Sequence, residues 1–257
     1  MKQSLFIGII LCLVFVISAS AQEGVPDSVA KYLALGDRLS DAWDHQGAAD
    51  AYLTVISYDP EHYEALWKAG DQYTEIADRI EMKHQKESYF TQARKLCEKA
   101  VEVHPDGWEG HFRLSVALGR LALFRGGKEK IRLSQMVKEE ADKAVALNPN
   151  ADLAYHVLGR WHQNIANLSG MLKFFAKVLY GGVPDASNEE SADMFKKAIA
   201  IDPDHIEHHL ELARTYQFMD EKDLARQSLE QVLSLPAVDE DDSKFKKEAE
   251  KMLKKLK

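Results

Sequence analysis

Cysteine is nearly absent from this sequence: Cys12 and Cys97 are the only two among 257 residues. So few exclude a disulfide framework and a closed four-thiolate zinc site, which leaves a hydrophobic core to hold the fold. Proline and glycine are sparse as well, 7 and 14 residues, which excludes a collagen-like or low-complexity chain. Positive charge runs short, with 33 Lys+Arg against 41 Asp+Glu and a net charge of -8. A surface of that sign repels phosphate, so no nucleic-acid partner is expected. The patterns GxSxG, GxxxxGK[ST] and HExxH are all missing, and with them the nucleophile elbow, the phosphate loop and the zincin helix. The uncharged run from Leu5 to Ile17 is shorter than the roughly 20 residues that span a bilayer.

That run has a different use. Lys2 precedes it, and Ala19-Ser20-Ala21 places small residues before Gln22. The order predicts a cleaved secretory signal over residues 1–21, with an N-terminal membrane anchor as the alternative if the segment is retained. Removal leaves Cys97 as the only thiol.

The remainder is periodic. Four similar endings recur, Ile56 to Pro60, Val101 to Pro105, Val145 to Pro149 and Ile199 to Pro203, and each closes a stretch with apolar residues at helical spacing. Proline cannot continue a helix and pushes the preceding residue out of the α region, so each Asp/His/Asn-Pro pair predicts a helix stop. On these features the chain resembles the tetratricopeptide family, with a bulky residue at position 4 of a 34-residue unit, small residues at 8, 20 and 27, and Pro at 32. The first unit fits without a gap through Tyr32, Leu35, Gly36, Leu39, Ala48, Tyr52, Val55 and Pro60. The fifth does so through His209, Leu212, Ala213, Tyr216, Ala225, Leu229 and Val232. Units two and three need insertions of about three helical turns, expected to lengthen helices without rotating their faces. Unit four needs a longer one, from Asn167 to Asn188, predicted to form an apolar helix that ends at Gly181-Gly182 before a Ser187/Glu190 capping box.

The expected fold is therefore an all-α, tetratricopeptide-like α-solenoid of five helical hairpins with a C-terminal capping helix. Residues 22–28 form a linker, 29–239 the repeats and 240–257 the cap, whose Phe245, Ala249, Met252, Leu253 and Leu256 share one stripe. The acidic run Asp239 to Asp242 sits at the start of the cap, where a helix dipole favours negative charge. Small residues let the two helices of a hairpin approach, large ones fill the layer between hairpins, and the end of the stack needs a polar outer side.

Further segments carry a narrower resemblance: Asp142 to Pro149, His156 to Trp161 with Leu168-Ser169, Gly181 to Ser187, Phe195 to Ala198, and Leu235-Pro236 before an acidic, Lys-rich end. Over roughly residues 30–257 the chain is similar to the regulator of microtubule dynamics proteins. The resemblance implies a non-enzymatic adaptor without catalytic residues, in eukaryotic members associated with microtubules, spindle poles and mitochondria. No cofactor and no metal are expected. The export signal instead places the chain in the periplasm or outside the cell, where tubulin is absent. Microtubule, cytoplasmic and mitochondrial locations are expected only of a chain that stays cytosolic, and membrane proximity only of one that keeps its N-terminus.

In tetratricopeptide arrays the first helix of each hairpin lines a concave groove. Carried over position by position, the resemblance marks Asp37, Trp67, Asp71, Phe112, Arg120, His156, Arg160, Gln163, Asn164, Arg214 and Phe218 as residues that bind a peptide or protein partner. Position 9 runs Asp37, Asp71, Val116, Arg160, Arg214, so the expected groove is acidic in its N-terminal half and basic in its C-terminal half, with Trp67, Phe112 and Phe218 as anchors. Phe174, Phe175, Leu179 and Tyr180 form an apolar knob for a partner or membrane if they project, and core if they pack. His205, His208 and His209 with Glu207 and Glu211 give an alternative from another class, a metal-dependent hydrolase. His209 takes the bulky position 4 of its repeat, which predicts a packed imidazole there.

Overall fold

The computed structural model describes residues 25–182 and 185–256, and the segment read as a signal lies outside the described residues. Helices α1 (Val25–Asp41) and α2 (His45–Tyr58) form the first hairpin, α3 (Tyr63–Arg79) and α4 (Lys83–Val103) the second, and α5 (Trp108–Ala122) and α6 (Gly127–Leu147) the third. The fourth pairs α7 (Asp152–Ala166) with α9 (Asn188–Ile201) and carries α8 (Gly170–Tyr180) between them. The fifth is α10 (Ile206–Phe218) with α11 (Lys222–Ser234), and α12 (Asp242–Lys255) packs on both. Each second helix packs against the first helix of the next hairpin, and the first helices α3, α5, α7 and α10 also touch in succession. Among the described residues there is no strand, and no helix is long and apolar enough to cross a membrane.

The predicted stops are four copies of one geometry. Asp59, His104, Asn148 and Asp202 end α2, α4, α6 and α9 with φ of -135, -136, -134 and -124°. Each turns its N–H onto the carbonyl four residues earlier, at 2.9 Å. The small residue at position 8 has an equally local cause. A Cβ on Gly36 would meet the Tyr52 ring at 2.4 Å, and one on Gly159 would meet the Phe195 ring at 2.8 Å. The bulky residue of the second helix rests on the backbone of the first, so only a missing side chain permits that approach.

The insertions take two forms. In repeats two and three they give second helices of 21 residues where α2 has 14, about two added turns rather than three. The remaining inserted residues mostly extend the first helices, α3 with 17 residues and α5 with 15 where α10 has 13, and the connections between the paired helices stay short. The added turns make core: Phe90 and Leu133 are buried and join Leu118, Cys97 and Trp161 in one cluster. In repeat four the second helix keeps 14 residues and the insertion becomes the separate helix α8. Ser169 caps its start, and Gly181, left-handed at φ 84°, ends it. Ser187 Oγ then accepts the Glu190 N–H at 3.1 Å and donates to the Glu190 carboxylate at 3.2 Å, opening α9. At the far end Ile206, Leu210, Leu229, Val232 and Ala249 form a core that Phe245, Met252, Leu253 and Leu256 of α12 cover.

Candidate functional site

The concave face is built by position 9 of each first helix meeting position 6 of the next. Asp37 of α1 accepts from Lys68 of α3 at 2.7 Å and from the Tyr52 hydroxyl at 2.8 Å. Asp71 of α3 pairs with Arg113 of α5 at 2.6 Å. The third rung is apolar, Val116 of α5 and Val157 of α7, both packed on the Phe112 cluster. The fourth reverses sign: Arg160 of α7 donates to Glu211 of α10 at 2.5 Å. A second link joins α3 to α5 through Asp78 and Arg120 at 2.8 Å. The groove expected to be acidic in one half and basic in the other is thus neutralised rung by rung, because each position-9 charge finds its counter-ion on the neighbouring helix. Burial pushes the Asp71 carboxyl above its usual range, with Arg113 pulling the other way.

Glu211 is the most deeply placed of these charges, with 0% exposure. Arg160 and Arg214 both donate to its Oε1, while its Oε2 has no hydrogen-bond partner. Burial raises its pKa, and the two guanidinium groups lower it in part. Arg214 continues to Glu248 of α12 at 2.6 Å, which ties the cap to the ladder. A cavity of 400 Å³ opens over this triad, lined by Arg160, Gln163, Arg214, Gln217 and Phe218. Gln163 forms part of its floor, buried and donating to Thr215 Oγ1 at 2.9 Å. Phe218 stands at the rim with 55% exposure, and Asn164 is exposed one turn from Arg160.

Beside the triad lies a stack of imidazoles. His156 Nδ1 and His208 Nδ1 share a proton at 2.9 Å, His208 Nε2 bonds Asp152 at 3.1 Å, and the His205 ring sits 4.2 Å from that of His208. Burial depresses the pKa of both His156 and His208, and the nearby positive groups push His156 further. His209 is turned away and donates from Nε2 to the Pro203 carbonyl at 2.8 Å, as His111 does to Pro105 at an earlier stop. The histidines therefore bond one another and the backbone, and among the described residues no three His, Cys, Asp or Glu are placed to hold a metal ion. The arrangement that looked metal-like in sequence is a hydrogen-bonded stack.

Of the predicted anchors, Trp67 is half-buried and Phe218 exposed, but Phe112 is core: it is 4% exposed, stacked on Trp108 and packed on Ala144 and Ala154. His156 is buried for the reason just given. On α8, Phe174 is 61% exposed beside Leu172 at 55% and Val178 at 62%. The other predicted knob side chains, Phe175, Leu179 and Tyr180, lie outside the described residues. Sequence reasoning missed the position-6 partners Lys68, Arg113 and Glu211. Their signal was present, since wherever position 6 of a repeat is charged its sign is opposite to that at position 9 of the repeat before it.

Comparison with known proteins agrees with this architecture. A tetratricopeptide protein from Thermus thermophilus superposes with a TM-score of 0.64 at 17% identity, over 86% of this chain and 98% of that one, which shows the fold. Regulator of microtubule dynamics protein 1 of Mus musculus is 26% identical over 241 residues, 93% of this chain and 78% of its own length. Regulator of microtubule dynamics protein 2 of Macaca fascicularis is 27% identical over 195 residues, 76% of this chain and 48% of its own length. The chain spans about half the length of several curated relatives it matches. A family model described as regulator of microtubule dynamics protein 1-3 matches residues 32–257, and the chain belongs to that family.

Proposed function

We propose that the chain is a non-catalytic adaptor that receives a peptide or protein partner on its concave face, at the α7–α10 end. Fold and family support a protein-interaction role. The observation that carries the finer reading is the 400 Å³ cavity, whose floor is fixed by the Arg160–Glu211–Arg214 triad while Phe218 and Gln217 remain exposed at its rim. A rigid polar floor beside an exposed aromatic side chain is the arrangement from which binding hot spots are built. The chain would act by positioning a partner, with no group in the site moving a proton or bond.

Phage-displayed random dodecapeptides selected on the folded chain test this. Enriched peptides are expected to lose tenfold or more in affinity when Phe218→Asp and Asn164→Asp are combined, both at exposed positions that leave the floor intact. No enrichment, or enriched peptides indifferent to that pair, would sink the reading. Location decides the physiological partner. An exported or anchored chain meets envelope or membrane proteins, and a chain retained in the cytosol meets microtubules, as the relatives' names suggest. Fractionation followed by mass determination of the mature N-terminus distinguishes the two, with a start at Gln22 marking export.

A further inference from the structure

The solenoid is closed across its mouth by its own cap. The segment leading into α12 reaches back to the first two hairpins, where the Glu240 carboxylate accepts from Arg79 of α3 and meets His45 Nε2 of α2 at 3.2 Å. These partners lie 161 and 195 residues away in sequence. Both sides of the contact are held in place. His45 Nδ1 is fixed by Gln72 at 2.8 Å, and Gln72 by the Ser40 hydroxyl at 3.0 Å. Opposite, Asp242 is 2% exposed and accepts the backbone N–H groups of Val238 and Asp239, both at 2.8 Å, which shapes the loop that presents Glu240. A cavity of 250 Å³ remains between the two sides. Trp43 lines it, 47% exposed and with φ 61°, a backbone region that bulky residues rarely adopt.

From sequence the acidic run is placed at the start of the capping helix, where the helix dipole favours negative charge. The geometry points instead to an internal ligand: Glu240 occupies a carboxylate subsite made by Arg79 and His45, and an acidic peptide segment of a partner displaces it and opens the ring. The inference rests on the concave face being the partner surface, and it names the chemistry that the α2–α3 end takes. Charge supports an acidic occupant once the loop lifts. The run Asp239 to Asp242 leaves with the loop, and the three lining carboxylates left behind are each engaged, Asp71 by Arg113, Glu207 by Arg160 at 3.6 Å and Glu75 by Arg79 at 2.9 Å. Arg79 then keeps only its own-helix partner Glu75. A half-exposed ion pair is weak, so the internal occupant holds its place chiefly because it is tethered, and a modestly better external carboxylate can displace it.

The test uses the full chain and a fluorescein-labelled hexapeptide with the sequence of residues 238–243, read by fluorescence anisotropy at low salt. Glu240→Gln is expected to raise the peptide's affinity at least fivefold over the wild type by vacating the subsite. Adding Arg79→Gln in that background is expected to return the affinity to the wild-type level or below. Both positions are exposed, and unchanged circular dichroism melting confirms that the variants fold. Equal affinity for wild type and Glu240→Gln, affinity indifferent to Arg79→Gln, or no binding to any form overturns the inference. Phage-selected peptides that still depend on Phe218 and Asn164 would in those cases leave the adaptor reading standing.

Discussion

The two ends of the concave ladder solve one problem with opposite signs. At the N-terminal end the earlier helix supplies the carboxylate and the later one the cation, Asp37 with Lys68 and Asp71 with Arg113. At the C-terminal end the order is reversed, with Arg160 on the earlier helix and Glu211 on the later. Between them the positions belong to Val116 and Val157, both packed on the Phe112 cluster, and no charge is used. Adjacent first helices therefore need complementarity across the rung, and neither sign is special. The ends differ in depth and sharing. Each N-terminal carboxylate is partly exposed, whereas Glu211 is fully buried and serves two guanidinium groups at once.

That difference is broken most severely at Glu211. Glu211→Ala would leave two guanidinium groups without their shared partner and is expected to cost about 3–5 kcal/mol, read as a lowered denaturant midpoint. A loss near zero would mean that the triad is not a unit. Arg113→Ala, which strands the Asp71 carboxylate at the other end, should cost less, about 2 kcal/mol, and Asp71→Asn in the same chain should restore part of it. If the two single variants proved equally costly, the contrast in burial would have no energetic meaning.

Acid sharpens the comparison next, because the buried imidazole stack belongs to the C-terminal end. His156 and His208 have pKa values depressed by burial, so below the ordinary value of about 6.5 the unfolded chain binds protons that the folded chain refuses. Stability carried by these groups is present above that value and is lost as pH falls, on the order of 1 kcal/mol per histidine between pH 7.5 and 5.5. His111 works in the opposite sense, since its hydrogen bond to Glu140 raises its pKa and stabilises the folded state at low pH. Hydrogen exchange at pH 5.5 should accordingly show α7 and α10 losing protection before α5 and α6. Uniform loss along the chain would remove the histidines as the cause.

The smallest effect belongs to the N-terminal turn. Trp43 and Asp220 occupy the same position of the two ungapped repeats, and both are left-handed, at φ 61° and 59°. Aspartate tolerates that conformation and tryptophan does not, so Trp43→Asn is expected to stabilise the fold by about 1 kcal/mol. Thermal melting would register this as a rise of a few degrees. A fall would show that the indole contributes more packing than its backbone costs.

Much of the fold could be read from local pattern. The four Pro-closed stops, Gly36 and Gly159 beneath Tyr52 and Phe195, and the Ser187 cap each depend on residues within one hairpin, where spacing along the helix fixes which side chains meet. The site was less legible. Phe112 has the composition of an anchor and the location of a core residue, and only the packing of α6 and α7 upon it distinguishes the two. The insertions were detectable as extra length, but whether that length extends α4 and α6 or becomes the separate helix α8 depended on where the apolar residues could be buried.

The sequence by itself determined the helical class, the number of hairpins and their stops, because these follow from periodicity and from backbone chemistry acting over a few residues. Only the tertiary structure decided which charges are spent on other charges, that Glu211 lies beneath two arginines, and that Glu240 reaches Arg79 across the mouth. The reason is physical. Apart from Arg214 and Glu211, three residues apart on one helix, those contacts join groups about 30 to 160 residues apart, and their existence depends on the accumulated rotation of one hairpin upon the next, a quantity that no single repeat encodes.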